Sequence, residues 1–174
     1  MSAKATLAER AGEFLVRPMQ IEDLAAVAAI DRESFPNPWP ENTYRYELRE
    51  NRASHLLVIQ PRESEAVIGV AGYWLVVDEA HISTLAVHPE WRGRGVGSVL
   101  LDALLRRAAG GGAQCAMLEV RVGNRAARCL YAAFGFRIVG SRKGYYKDNG
   151  EDALLMTADG LSEYAFHSDR KDSA

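Results

Sequence analysis

The chain has 174 residues, of which 48% are hydrophobic and 25% charged. This composition is typical of one folded domain and excludes a peptide or a multidomain assembly. Its 21 lysines and arginines face 23 aspartates and glutamates, which leaves a net charge of -2. Because no overall positive field is available to attract nucleic acid or an anionic membrane, a polyanionic ligand must be bound by one local site.

Neither the cysteines nor the two ends of the chain indicate a functional site. Two cysteines, Cys115 and Cys129, are too few for a disulfide scaffold and have no zinc-site spacing, so we expect two buried thiols and no metal. The sequence shows neither a signal peptide nor a membrane span, which predicts a cytoplasmic protein. We expect residues 1–12 to be a flexible extension, 13–160 the domain and 161–174 a polar tail.

The first half of the domain alternates between helix and strand patterns. Apolar residues from Ile21 to Ala28 follow a helical spacing. Three prolines at positions 36, 38 and 40 cannot donate backbone hydrogen bonds, so they end that helix. In chain order we predict a strand at 13–17, helices at 21–33 and 40–48, and strands at 54–59, 66–77 and 80–87. The short turns between these last strands predict an antiparallel meander.

In the second half of the domain, predicted helices and strands alternate. After a glycine-rich loop, we predict a helix ending at Gly110, a strand at 115–121, a helix at 125–134, and strands at 136–142 and 153–158. This order requires parallel pairing somewhere. The predicted fold class is therefore α/β, with a central mixed, mostly antiparallel sheet of about seven strands and helices on both faces.

The glycine-rich loop is the candidate for the local anion site. It reads Arg92-Gly93-Arg94-Gly95-Val96-Gly97-Ser98 between a strand and a helix. Alternate glycines let backbone N–H groups point inward, and the helix adds its positive end. A Walker loop is excluded because no lysine follows Gly97, and a dinucleotide fingerprint is excluded because Ser98 stands where it needs glycine. A strand-to-helix turn without a ligand is the alternative.

Several segments together carry a family resemblance. Arg92-x-x-Gly95-x-Gly97, preceded by Leu85-Ala86-Val87, resembles the coenzyme A pyrophosphate loop of the GCN5-related N-acetyltransferase (GNAT) superfamily. Further segments are similar to its ribosomal-protein-alanine N-acetyltransferase branch: Leu118-Glu119-Val120-Arg121, Asn124, Leu130-Tyr131-x-x-Phe134-Gly135-Phe136, Phe35-Pro36-x-Pro38-Trp39 and Arg142-x-x-Tyr145-Tyr146. The resemblance covers about residues 13–160.

The resemblance implies a set of residues for acetyl-CoA, the expected cosubstrate. These residues are Leu85, Ala86, Val87, Arg92, Gly93, Arg94, Gly95, Val96, Gly97, Ser98, Asn124 and Tyr131. The backbone of Leu85 to Val87 would bind the pantetheine arm like an added strand and help to stabilise the oxyanion. Asn124 can be a coenzyme contact, a helix cap or both.

Two residues are candidates for acid–base chemistry. Glu119 is the one charged residue in the apolar run 116–120, where partial desolvation would make it a better base, and the resemblance gives it that role. A solvent-facing carboxylate, or one paired with an arginine such as Arg121, is the alternative. The resemblance makes Tyr131 a general acid near the coenzyme sulfur, whereas a packed aromatic is the alternative.

The resemblance also suggests an acceptor site. It implies that two loops contact the acceptor through Phe35, Pro36, Trp39, Tyr145 and Tyr146, although the two tyrosines also suit a surface hairpin tip. The implied acceptor is a protein N-terminus, in this branch that of a ribosomal protein beginning with alanine, and an α-amine is easier to deprotonate than lysine. The alternatives are acetylation of a lysine or small-molecule amine, and a noncatalytic acyl-CoA-binding module.

Overall fold

The computed structural model describes residues 6–166 as seven strands and six α-helices. The strands are β1 (Phe14–Pro18), β2 (Ser54–Pro61), β3 (Gly69–Val76), β4 (Glu79–Val87), β5 (Cys115–Arg121), β6 (Arg137–Tyr146) and β7 (Glu151–Asp159). The helices are α1 (Leu7–Glu13), α2 (Leu24–Ser34), α3 (Glu41–Arg49), α4 (Val96–Gly110), α5 (Arg125–Ala133) and α6 (Leu161–Phe166). Within the same residues, no helix has the length and hydropathy needed to span a membrane.

The strands form one sheet in the order β1-β2-β3-β4-β5-β7-β6. β4 and β5 run parallel, with Glu79 opposite Cys115. The pairs β1–β2, β5–β7 and β6–β7 are antiparallel. The predicted class, a mixed and mostly antiparallel sheet combined with helices, is confirmed.

The described chain packs as two compact units. The first unit comprises residues 6–72 and 84–104, and the second comprises residues 73–83 and 105–166. In the first unit, apolar side chains of α2, α3, β2 and β3 form a core that includes Val27, Ile30, Tyr44, Val58 and Val70. Burying a side chain of this size stabilises the fold by about 1.5–3 kcal/mol.

One glycine of this unit is required by close packing. A Cβ at Gly69 would lie 2.8 Å from Ile59 Cγ2 and 3.0 Å from the carbonyl oxygen of Ala86. These distances are shorter than normal contacts, so a larger residue would push β3 away from its neighbours. Gly69 therefore allows the backbone of β3 to lie close to the end of β4.

In the second unit, the alternation of β5 sets which side chains are available for chemistry. Ala116, Leu118 and Val120 are buried. Because successive side chains of a strand point to opposite faces, Glu119 and Arg121 lie on the other face, where both are only partly buried. The position of Glu119 in the sequence thus places it outside the apolar layer.

Two short helices lie outside the predicted elements. α1 falls in the predicted extension, where Thr6 and Glu9 form a capping box, and α6 falls in the predicted tail, where Leu161 is buried. Both helices have seven residues or fewer, too short for a clear helical periodicity. The Thr6-x-x-Glu9 spacing is the signal that predicts α1. The remaining parts of the extension and tail, 1–5 and 167–174, are outside the described residues.

The expectation of two buried thiols is wrong. Cys115 is partly buried, and Cys129 on α5 is exposed. Cys129 lies on the side of a short amphipathic helix that the other residues of the second unit do not cover. Burial raises the pKa of the Cys115 thiol, and nearby carboxylates such as Glu79 raise it further.

Candidate functional site

The glycine-rich loop of the first unit joins β4 to α4. Gly93 and Gly95 have φ angles of +75° and +83°, in the left-handed region that glycine adopts without strain. The carbonyl oxygen of Gly95 accepts hydrogen bonds from the N–H groups of Ser98 and Val99, at 3.1 and 3.2 Å. The loop therefore ends directly in the first turn of α4, where backbone N–H groups favour an anion.

The two arginines of the loop have different surroundings. Arg92 donates from Nε to the carbonyl oxygen of Val87 at 2.9 Å and from Nη2 to Ser34 Oγ at 2.9 Å. The Arg94 guanidinium carbon lies 5.1 Å from the ring centroid of Trp91, a cation–π distance. Arg92 thus ties the loop to the end of β4 and to the last residue of α2, while Arg94 packs on the turn before the loop.

A third arginine reaches the loop from α1. Arg10 Nη1 donates to the carbonyl oxygen of Arg94 at 2.6 Å. A Cβ at Gly95 would lie 2.5 Å from Arg10 Nη1 and 2.7 Å from Arg10 Cδ, so the arginine side chain covers this glycine. Sequence reasoning missed Arg10 because it lies 84 residues before Arg94 and no local pattern connects the two.

The strand before the loop is held by its neighbours. Ala86 is buried, whereas Leu85 and Val87 are partly buried. The N–H of His88, just after β4, donates to the carbonyl oxygen of Ile68 at 2.8 Å. These three strand residues therefore lead into the glycine-rich loop with a fixed backbone.

The proline-rich loop of the first unit is organised by a buried aspartate. Asp31 is 1% exposed, and its carboxylate accepts hydrogen bonds from the Trp39 N–H at 2.6 Å and from the Tyr44 hydroxyl at 2.8 Å. Burial raises the pKa of Asp31, and these two hydrogen bonds partly oppose that rise. The Trp39 and Tyr44 rings lie 5.2 Å apart. Phe35 and Trp39 pack partly against the core, and Pro36 is exposed.

Sequence reasoning missed Asp31 and Tyr44. The signal for Asp31 is its position in the helical repeat of α2, where it follows the buried Ile30 and is itself buried. A buried carboxylate needs hydrogen-bond donors, and a proline-rich loop has few N–H groups to offer. The donors are Trp39, eight residues later, and Tyr44, 13 residues later.

In the second unit, Glu119 lies in a small polar cluster with two residues of β6. Arg142 Nε is 3.3 Å from Glu119 Oε1, and the Glu119 side chain is 27% exposed. A hydrogen bond to Glu119 is the largest cause that raises the pKa of Tyr145. The Arg142 guanidinium carbon also lies 5.6 Å from the Tyr145 ring centroid. Glu119 is therefore paired with an arginine, but with Arg142 and not with Arg121.

Arg121 has its own partners beside this cluster. Its guanidinium carbon lies 3.8 Å from the ring centroid of Tyr146. Arg121 also donates to Asp148 at 2.9 Å and to Glu151 at 3.4 Å. Its hydrogen bond is the largest cause that lowers the pKa of Asp148, whereas the pKa of Glu151 is lowered first by the Gly123 N–H, with Arg121 contributing less. The Tyr145 and Tyr146 rings meet edge to face at 5.2 Å. This network fixes the two tyrosines against β5.

The two tyrosines lie in β6 and not at a hairpin tip. β6 extends to Tyr146, and the turn residues follow it at 147–150. Gly144, with a φ of +58°, donates its N–H to Asp152 Oδ1 at 2.8 Å. Tyr145 is 41% exposed, so part of its ring is available at the surface.

The helix α5 carries the other two candidates of this unit. Asn124 Oδ1 accepts a hydrogen bond from the Ala127 N–H at 3.1 Å, which makes Asn124 the helix cap. Tyr131 is 7% exposed, and its ring lies 5.6 Å from that of Phe136. Burial, with a smaller contribution from Tyr146, raises the pKa of Tyr131 to about 12.

The structure thus brings the predicted residues together in two groups. In the first unit, Arg92 links the glycine-rich loop to Ser34, which immediately precedes the Phe35 loop. In the second unit, Glu119 lies against Tyr145, and Tyr146, the next residue, contributes to the raised pKa of Tyr131. The chemistry available is an anion site in the first group and a carboxylate with a protonated phenol in the second.

The chain is similar in sequence to known proteins of one family. Residues 24–136 match the model of the Acetyltransferase (GNAT) family. A Bacillus subtilis protein provisionally named a [ribosomal protein bS18]-alanine N-acetyltransferase is 41% identical, over 81% of this chain and 92% of its own. The Escherichia coli K12 protein of that name is 31% identical, over 81% and 94%.

Solved structures lead to the same family. The crystal structure of the ribosomal-protein-S18-alanine N-acetyltransferase from Escherichia coli has a TM-score of 0.76 and 28% identity, and covers 84% of this chain and 94% of that one. The family model spans well over half of the chain, from the start of α2 to Phe136, just after α5. The chain therefore belongs to the GNAT acetyltransferase family.

Proposed function

We propose that this GNAT enzyme transfers acetyl from acetyl-CoA to the N-terminal α-amine of a protein, with the N-terminal alanine of a small-subunit ribosomal protein as its acceptor. Two relatives whose names state this activity support the acceptor, and the chain covers 92% and 94% of their lengths. The observation that carries the chemistry is the cluster in which Glu119 meets Arg142 and Tyr145.

The residues around the glycine-rich loop suit the phosphates of the coenzyme. A Cβ at Gly93 would meet nothing within 4 Å, so the backbone there is open to a ligand. The first turn of α4 adds N–H groups, and Arg92, Arg94 and the backbone of Leu85 to Val87 complete the binding set. When bound, acetyl-CoA supplies a thioester, whose carbonyl carbon is open to attack by an amine.

Glu119 serves as the general base in this proposal. An α-amine has an ordinary pKa of about 8, so most of it is protonated at neutral pH and a proton must be removed before it can attack. A carboxylate accepts that proton, directly or through one water. Arg142 lies 3.3 Å from one oxygen of Glu119 and fixes its position, and Tyr145 orients the carboxylate through a second contact.

In this proposal Tyr131 is the acid, and it acts on the leaving sulfur mainly as a hydrogen-bond donor. With a pKa of about 12, its hydroxyl remains protonated at neutral pH and can donate to the departing sulfur. Complete proton transfer to a thiolate with an ordinary pKa of about 8.5 is unfavourable by roughly three powers of ten. Tyr131 therefore acts mainly by donating a hydrogen bond, and its removal should slow the reaction without abolishing it.

The candidate acceptor-binding residues are aromatic or proline side chains in each of the two groups. Phe35, Pro36 and Trp39 form a loop that Asp31 holds rigid, and Tyr145 and Tyr146 are braced by Arg142 and Arg121. Rigid aromatic residues bind a peptide with little loss of side-chain entropy. Asn124, which caps α5, is a contact for the coenzyme in this proposal and not for the acceptor.

An acceptor panel tests the proposal. Release of the CoA thiol is measured with acetyl-CoA and matched peptides that begin with Ala, Ser or Met, and with an N-terminally blocked peptide that contains an internal lysine. We expect turnover with the free N-termini, highest for the ribosomal sequence beginning with alanine, because the α-amine deprotonates more readily than lysine. Turnover with the blocked lysine peptide alone would overturn the proposal.

A further inference from the structure

We propose that Arg10, on the N-terminal helix α1, is an additional contact for the pyrophosphate of the coenzyme. The inference builds on the use of acetyl-CoA in the proposed function and adds a residue from outside the segment matched by the family model, which begins at residue 24. Its basis is that the Arg10 guanidinium covers Gly95 and donates to the carbonyl oxygen of Arg94. The site would then use cations from two distant segments of the first unit.

The helix that carries Arg10 is held in place. The N–H of Thr6 donates to the Glu9 carboxylate at 2.7 Å, which closes the start of α1. At its end, Arg62 donates from Nε to the carbonyl oxygen of Gly12 at 2.7 Å, and the Arg62 N–H donates to that of Glu13 at 3.0 Å. α1 continues directly into β1, whose Phe14 is buried. Arg10 is thus presented by an ordered element.

The three arginines at the loop have different neighbours. Arg92 uses two donor atoms within the protein, and Arg94 packs over Trp91. The Arg10 guanidinium lies against Gly95, the glycine of positive φ that immediately precedes α4. A guanidinium has five N–H donors in a planar fork, so a group that donates to a carbonyl oxygen can also donate to a phosphate.

Charge gives a second reason for this assignment. The whole chain has a net charge of -2, yet two arginines belong to this one loop and a third, Arg10, donates to its backbone. A pyrophosphate is a dianion, and a guanidinium forms charge-assisted hydrogen bonds with phosphate oxygens. This concentration of positive charge is favourable when a pyrophosphate is present.

Direct binding measurements test the inference without using turnover. Isothermal calorimetry with CoA and with dephospho-CoA compares the wild type, Arg10→Ala and a control, Arg45→Ala, which removes an exposed arginine of α3. We expect Arg10→Ala to weaken both ligands about tenfold, because one charge-assisted contact is lost, and Arg45→Ala to change neither by more than about twofold. Thr6→Ala, which removes the capping box, should weaken both ligands by less.

The outcomes separate this inference from the proposed function. Equal binding by wild type and Arg10→Ala, or tighter binding by the variant, would overturn the role of Arg10, since the second result would make its side chain an obstruction to the ligand. Weakening of CoA alone would overturn the pyrophosphate contact in favour of the 3′-phosphate. If the wild type bound neither ligand, the proposed function itself would fail.

Discussion

Glu119 shows how the neighbours of a carboxylate define its chemistry. It lies on β5 opposite the buried face, beside a guanidinium at 3.3 Å and a tyrosine hydroxyl. A carboxylate on the surface of a strand is ordinarily a solvated charge, but here two side chains from β6 fix its position. A base needs a defined position as much as a suitable pKa, and the cluster supplies it.

We expect Glu119→Gln to lower kcat by about 100-fold or more, because the amide cannot accept the proton of the amine. CoA affinity should stay within about twofold, since the coenzyme contacts proposed above are elsewhere. Steady-state kinetics with the alanine peptide and calorimetry with CoA measure the two effects. Glu63→Gln, at an exposed position of the first unit, is the matched control. Wild-type kcat at neutral pH would exclude Glu119 as the base.

Tyr131→Phe tests the second candidate residue. Removing the hydroxyl while keeping the ring preserves the packing against Phe136, so we expect kcat to fall by about tenfold with stability little changed. Because the pKa of Tyr131 is about 12, its ionisation should add no step to the rate profile between about pH 6 and 10. Tyr46→Phe, at an exposed tyrosine, is the control. A variant with the full wild-type rate would leave Tyr131 a packing residue.

At the level of elements, Asp31 connects α2, the proline-rich loop and α3. Its two carboxylate oxygens take one donor from the loop and one from α3. Because the prolines of the loop contribute no N–H groups, the loop has few backbone donors for hydrogen bonds to the rest of the protein. The order of the predicted acceptor loop therefore depends on one buried carboxylate.

Substitution of Asp31 tests this dependence through stability. Asp31→Ala leaves the Trp39 N–H and the Tyr44 hydroxyl without their acceptor, and we expect it to lower the free energy of unfolding by about 3 kcal/mol. Asp31→Asn can keep both contacts by accepting from Trp39 and donating to the Tyr44 oxygen, so its loss should be smaller. Urea unfolding measures both. An alanine variant as stable as wild type would contradict this role.

The pH dependence of the same variants has a defined sign. Because burial raises the pKa of Asp31 in the folded state, the folded protein holds this proton more tightly than the unfolded chain does. The free energy of unfolding of the wild type, measured relative to that of Asp31→Asn, should therefore be greatest at acid pH. It should fall as the pH rises from the ordinary pKa of an aspartate through the raised pKa of Asp31. A relative stability that increases over that interval would contradict the shift.

The elements themselves were predictable to different degrees. β5 was predicted with its observed bounds, because an apolar run flanked by polar turns is unambiguous. β6 was predicted to end four residues too early, since Gly144 is typical of a strand end but is accommodated here by a left-handed φ and a hydrogen bond to Asp152. α1 and α6 were missed because their length is too small for a periodic pattern.

At the level of the whole molecule, the family and fold were accessible from the sequence and are confirmed, whereas the partners of the site residues were not. The order of Arg92, Gly95 and Gly97 is a local pattern that any reader of the chain can see. The choice of Arg142 over Arg121 as the partner of Glu119 depends on how β6 lies in the sheet. Strand alternation fixes a face, but only tertiary packing fixes a neighbour.

The separation between Arg10 and Arg94 also has a consequence for how the chain folds. The hydrogen bond joins residues 84 positions apart, so the loop-closure entropy must be overcome before it contributes. On a ribosome, α1 leaves the exit tunnel long before the glycine-rich loop is synthesised. The nascent chain can therefore form α1 and the antiparallel β1–β2 pair first, and Arg10 bonds to Arg94 only when synthesis has passed α4.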